Sequence, residues 1–437
     1  TFPEPDAGVD DDSTEEVTMF KNHPKGLLAA ALANMGERFG FYTMMAILSL
    51  FLMSKFGLDE TKSGIIYSVF YFSIYILAFV GGLIADGTRN YKGTILAGLC
   101  LMAIGYLLIA IPTPTPVPEG SFLLYLGLTC FGLFVIAFGN GLFKGNLQAL
   151  VGQMYDNEQY GKMRDSGFSL FYMFINVGAI FAPLVAVGVR NAWVTSNGFE
   201  YQAALPDLCH AYLGKTITPD GLAKLQSFAS AVNFQGDIGS FASQYLGVFA
   251  TGFHYVFGVA IIAMAISTVI YLLNRKNFPD RKASAAASGP GATEMDVKEV
   301  KRRLYALFAV FGVVIFFWFS FHQNGLTLTF FAKDYTDLSS IHLNLGFTEI
   351  RGAELFQSIN PFFVVFLTPV IMLVFGALRA RGKEPSTPKK IAIDMGIAAL
   401  GYVLMVLGSL GLPDKATITE TGGLAEAARV TPFLLIG

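Results

Sequence analysis

NMGERFGFYTMM, residues 34–45, lies inside a long apolar run and still carries adjacent Glu37 and Arg38. An ionised side chain at the centre of a membrane helix costs roughly 2.5–3.5 kcal/mol on insertion scales. A chain keeps such groups only where a partner or a water-filled cavity receives them. The stretch therefore predicts a membrane helix lining a central cavity through which something is moved. Asn34, Arg38, Tyr42 and Met45 are spaced four, four and three and share one helix face, with Glu37 beside it. Adjacent residues on a helix project about 100° apart. Glu37 and Arg38 are thus free to pair with different helices, or with each other. Glu37 is some 16 Å into its span at 1.5 Å per residue, too deep for the headgroups.

The composition agrees with that reading. The 437 residues are 53% hydrophobic and 14% charged, against about 45–50% and 25% in soluble domains. Spans are predicted at about 26–53, 63–85, 93–112, 121–147, 167–189, 247–273, 304–332, 355–378 and 391–411. A tenth begins at Thr431. The fold class is an all-α membrane protein of two six-helix bundles with the major facilitator architecture. The second bundle is incomplete within these residues, at about nine full spans plus the start of a tenth. The expected organisation is a disordered acidic tail (1–25), a first bundle (26–275), a cytoplasmic linker (276–303) and a second bundle (304–437). The first bundle includes an external loop at 190–246. Inside that loop Thr218 opens an amphipathic helix, read as a surface excursion rather than a lid. With the N-terminus inside, nineteen Lys and Arg fall on the cytoplasmic side and nine on the other, as the positive-inside rule requires. The expected location is the inner (plasma) membrane.

Net charge is −2 and Cys is odd at three. Neither a nucleic-acid partner, a disulfide framework nor a metal site is implied. HExxH, GxSxG and Gly-rich phosphate motifs are absent, so no enzyme and no cofactor are expected. The polar groups are instead single and spread over helices. Lys144 ends the fourth span, where it either pairs inside the protein or snorkels to the interface. Gly139, Gly141 and Gly145 allow close helix approach. Tyr67, Tyr71 and Tyr75 form a hydroxyl stripe. Asn176 precedes Pro183 in the fifth span. Trp318 and His322 are four apart in the seventh, and His titrates near neutral pH. Gln357 and Asn360 share a face of the eighth. His254 in the sixth lacks polar neighbours and reads as structural.

Taken together these motifs resemble the proton-coupled oligopeptide transporter family of the major facilitator superfamily. Asn34 to Tyr42 is similar to its ExxER-aromatic motif, and Gly81 to Asp86 to its GGxxAD segment. FKGN (143–146) is similar to FKPN, FYMFINVG (171–178) to the fifth-span signature, and FFWFSFHQ and FQSINPFF to the seventh- and eighth-span segments. The resemblance implies proton-driven uptake of di- and tripeptides, with the proton as coupling ion. It places Glu37, Lys144 and His322 in proton coupling, Glu37 pairing with Lys144. It places Arg38, Tyr42, Tyr75, Asn176, Trp318, Asn360 and Asn34 at the substrate. Three positions depart from the family pattern: Asn34 stands for a glutamate, Met45 for an arginine and His322 for an acid. Expected partners are small peptides, protons and the bilayer, with the protein a monomer. A different solute, such as a modified amino acid or nitrate, and a non-transporting receptor are the rival readings.

Overall fold

The computed structural model describes residues 23–279, 297–339, 343–346, 348–383, 385, 387–420, 424 and 429–431. The acidic tail before residue 23, the centre of the linker and the residues after Thr431 lie outside these. Helices α1 (Lys25–Phe56), α2 (Glu60–Thr88), α3 (Tyr91–Ala110), α4 (Phe122–Met154) and α5 (Arg164–Ser196) come first. Short α6 (Leu205–Leu213) and α7 (Pro219–Ala231) lead to α8 (Ile238–Asn274). The second half holds α9 (Val297–Phe321), α10 (Thr327–Tyr335), a hairpin of β1 (Leu343–Asn344) and β2 (Glu349–Ile350), α11 (Ile359–Ala380), α12 (Thr387–Gly408) and α13 (Lys415–Glu420).

Among the described residues eight helices are long and apolar enough to cross a membrane: α1 to α5, α8, α9 and α12. The predicted eighth span corresponds to α11, whose 22 residues reach about 33 Å. Local signals set the helix ends. Asp59, Asn90, Thr218 and Asp237 each accept a hydrogen bond from a backbone N–H of the turn they open. The bonds from Ser240 also hold the Asp237 carboxyl below its ordinary range. Gly57, in the left-handed conformation at φ 62°, ends α1.

In the first bundle α1 is the central helix, packed on α5 and α8, while α4 packs on α2 and α3. Outward Phe72, Phe79, Ile262 and Leu273 are exposed, as a lipid-facing surface requires. Its two ends sort by loop. At one end His23 Nδ1 meets the Tyr155 hydroxyl at 2.7 Å, and the Tyr271 hydroxyl donates to the Lys92 carbonyl at 3.1 Å. At the other the Lys55 ammonium donates to the Thr113 carbonyl at 3.1 Å and His210 Nε2 meets the Ser54 carbonyl at 2.7 Å.

The helices of the α2–α3–α4 group touch backbone to backbone. A Cβ on Gly141 would lie 2.4 Å from the Leu77 carbonyl oxygen, and one on Gly139 2.7 Å from that of Gly98. Gly145 has nothing within 4 Å and plays no such part. Gly141→Ala is therefore expected to lower the melting temperature of the detergent-solubilised protein, by overpacking worth roughly 1–3 kcal/mol. Gly145→Ala should leave it unchanged or raise it. Equal effects at the two positions would contradict this packing.

Two expectations are corrected. The seventh span is not one helix: it breaks at a 3₁₀ turn, His322–Gly325, before α10. Gly325 abuts α2 there: a Cβ would sit 2.1 Å from the Tyr67 hydroxyl oxygen, so a larger residue would displace that ring. The 190–246 loop is shorter, because α5 runs on to Ser196 and α8 starts at Ile238. It contains the expected helix after Thr218 and also α6, whose nine residues are too few to show a period.

Candidate functional site

A cavity of about 140 Å³ lies where the halves meet. Helix α1 contributes Tyr42 and Met45, α2 Tyr67 and Tyr71, and α5 Asn176 and Pro183. The broken seventh span adds His322 and Gly325, and the eighth adds Gln357 and Asn360. Tyr42, Tyr67, Tyr71, Asn176, His322, Gln357 and Asn360 supply its polar groups. Pro183 interrupts the α5 hydrogen-bond ladder at the wall. Asn176 Nδ2 donates to the Tyr172 carbonyl at 3.1 Å, leaving its carbonyl oxygen for the cavity. Gln357 Nε2 donates to Thr329 Oγ1 at 3.2 Å.

The α2 tyrosines form a ladder, with Tyr67–Tyr71 centroids 5.8 Å apart and Tyr71–Tyr75 5.9 Å. The His322 ring lies 4.4 Å from Tyr71 and 6.4 Å from Tyr75, and stacks on Trp318 at 5.5 Å. Lys144 Nζ sits 5.6 Å over the Tyr75 ring. Tyr42, Asn176, His322 and Asn360 are thus brought together on the cavity wall. Lys144, Tyr75 and Trp318 border it through His322 and Tyr75. Asn34 is buried at 3% exposure within the bundle and is not part of the wall.

The expected Glu37–Lys144 pair is not formed. The Arg38 guanidinium grips both carboxylate oxygens of Glu37, through Nε and through Nη2, the latter at 2.5 Å. The fork of Arg matches a carboxylate two bonds at a time and curls back along the helix to reach it. The pair is buried, Glu37 at 0% and Arg38 at 4%. Arg38 also lies 4.7 Å over the Phe41 ring. Lys144 has turned to Tyr75 instead.

The Arg190 end of the molecule is closed by contacts between the halves, which sequence reasoning missed. Arg190 of α5 pairs with Glu354, just before α11, and both are fully buried. Asn191 Nδ2 donates to the carbonyls of Glu349 at 2.7 Å and Arg351 at 3.0 Å, and Thr348 Oγ1 donates to that of Gly188 at 2.7 Å. The loop joins in: the Tyr201 ring lies 4.3 Å from the Arg190 guanidinium, and Asp207 of α6 accepts from Lys333 of α10 at 2.5 Å. Lys415 bridges Glu60 and Asp334. Partial burial would lower that ammonium, but the two carboxylates outweigh it and raise it. The signal available was a lone carboxylate ahead of the eighth span and an arginine at the end of the fifth.

A polar cavity between two helical bundles, bolted together at one end and flanked by a buried charge cluster, is the build of a membrane carrier. The model of the PTR2 (POT) family matches residues 92–290 and 281–436, and the chain belongs to that family. It is 28% identical over 407 residues to the uncharacterized transporter YclF of Bacillus subtilis, covering 90% of this chain and 75% of that protein. It is 28% identical to the peptide transporter YePEPT of Yersinia enterocolitica (95% and 78%). With dipeptide and tripeptide permease B of Xenorhabdus bovienii the identity is 26% (91% and 75%). Among solved structures, a POT family transporter in complex with a thioalcohol conjugated peptide aligns with TM-score 0.62 and 25% identity, over 90% of this chain and 78% of that one. A mutant of peptide transporter POT in complex with alafosfalin aligns with TM-score 0.63 and 23% identity (95% and 78%), a likeness of fold.

Proposed function

We propose that the protein is a proton-coupled symporter of di- and tripeptides in the plasma membrane, working by alternating access with its N-terminal end cytoplasmic. The observation that carries this is the cavity between the halves, sealed toward the Arg190 end, with the buried Glu37–Arg38 pair one helix turn behind Tyr42 of its wall. Family membership and the peptide permeases among its relatives supply the substrate class. Asn176 and Asn360 offer amides to a peptide backbone, and the Tyr67–Tyr71 ladder a face for its side chains. At about 140 Å³ the cavity is below the roughly 300–1,000 Å³ of pockets for drug-sized ligands, so only a small ligand fits it without the halves moving apart. Protonating Glu37 removes the charge that holds Arg38. The guanidinium is then available to Tyr42 and to a ligand carboxylate, with Lys144 as a second cation beside Tyr75. The site thus changes its electrostatics when the proton arrives, and the two halves move about a ligand already held.

Labelled dialanine in proteoliposomes tests this. A gradient of one pH unit, acid outside, should drive up to about tenfold accumulation per proton (about 1.4 kcal/mol), and a short-peptide panel should compete. Flux that ignores the gradient sinks the coupling. A second reading, a different small solute, is favoured by His322 facing the cavity, at a position where the family resemblance implies an acid. Gradient-driven flux of another solute, with dialanine neither carried nor competing, would replace the first reading.

A further inference from the structure

Glu37 has a partner from another helix, but it is Asn140. Asn140 Nδ2 of α4 donates to Glu37 Oε1 at 3.0 Å, and both side chains are wholly buried. The same nitrogen lies 4.0 Å from Met102 Sδ. Asn140 Oδ1 is buried and accepts no hydrogen bond among the described residues. Lys144 stands one turn further along the same face of α4.

The charged and titratable groups around Glu37 are Arg38 and Tyr42 on its own helix, Tyr106 on α3 and Lys144 on α4. Arg38 and Lys144 only donate. They suit an ionised carboxylate and have nothing to offer a protonated one. The Tyr106 hydroxyl is buried without a hydrogen bond among the described residues, and no hydrogen bond joins Tyr42 to Glu37. Asn140 is already in contact and carries a donor at one end of its amide and a free acceptor at the other.

We propose that Asn140 is the positioning residue for the Glu37 proton step, a role that rests on reading Glu37 as the coupling site. With Glu37 ionised, Nδ2 donates to Oε1, as observed. When a proton binds at Oε1, the amide turns over and Oδ1 accepts the new O–H bond. Asn140 gains and loses no proton; the proton enters and leaves on Glu37. Both charge states are then satisfied inside a region where an unpaired polar group is costly.

Infrared difference spectroscopy on the purified protein tests this without substrate. The protonated-carboxyl band that disappears in Glu37→Gln is followed against pH. Asn140→Leu, which removes both ends of the amide, should shift that band in frequency and move its midpoint up by about one pH unit. Asn140→Thr, whose hydroxyl both donates and accepts, should stay near the parent. Asn140→Ala makes the same comparison should the leucine variant not fold. The acid limb of uptake should move in parallel. An unchanged band and midpoint, or no Glu37 band at any pH where the protein is folded, overturns the proposal. A shifted band in a protein that carries no solute on a pH gradient sinks the transport reading and leaves the positioning role standing.

Discussion

Glu37→Gln is expected to abolish accumulation of peptide on a pH gradient, reducing uptake to the level reached without one. The side chain keeps its shape and loses the charge that receives both arms of Arg38 and the amide of Asn140. Because Arg38 is only 4% exposed, the variant also leaves a cation without its counter-charge. Breaking one side of a buried pair costs about 3–5 kcal/mol. Folding must therefore be checked separately, and counterflow does so: exchange of preloaded peptide needs no gradient and should survive in part. Glu37→Asp, which keeps the charge on a shorter arm, should restore part of the accumulation. Full gradient-driven uptake by Glu37→Gln would rule out this carboxylate as the coupling group.

The other large effect is expected at the closed end. Glu354→Gln removes the charge opposite Arg190, both side chains being fully buried. A penalty of about 3–5 kcal/mol falls on the conformation in which they meet. Where the halves separate there, Arg190 can be hydrated, so the penalty is relieved. The balance should move toward that opened form by roughly two orders of magnitude or more. Spin labels at Asp220→Cys and Leu345→Cys, in a background lacking Cys100, Cys130 and Cys209, report the separation by electron–electron resonance. The distance distribution should broaden to longer values. A distribution identical to that of the parent would show that this ion pair does not hold the end shut.

Much of this molecule was legible in its sequence for a physical reason. Hydrophobic length and local caps are encoded within a few residues, so the spans and the helix after Thr218 could be read directly. His254 also behaves as its neighbourless position implies: Nδ1 lies 2.7 Å from the Ile109 carbonyl and the ring packs on Phe51. The polar wall was legible too, since Tyr42, Asn176 and Asn360 each sit on a recognisable face. Pairings between helices were harder to read. Whether Glu37 chose Lys144, Arg38 or Asn140 depends on how far α4 stands from α1 and on how a long guanidinium folds back. Neither is written in spacing. Asn140 carried a weak signal, a lone amide one turn before Lys144. Arg190 and Glu354 are far apart in the chain, and only the assembled halves bring them together. The break at His322 was hidden because the apolar run continues past it.

That break divides the seventh span into two rods, α9 of 25 residues and α10 of nine. The shorter rod, α10, is tied down through Lys333 to Asp207 and, beside it, through Asp334 to Lys415. The longer rod, α9, has no part in those ties. With a joint at Gly325–Leu326, where the backbone reaches φ −130° and ψ −89° at Leu326, each rod can tilt without dragging the other. Under the carrier reading proposed above, a span jointed in this way lets one end of the passage open while the other stays shut.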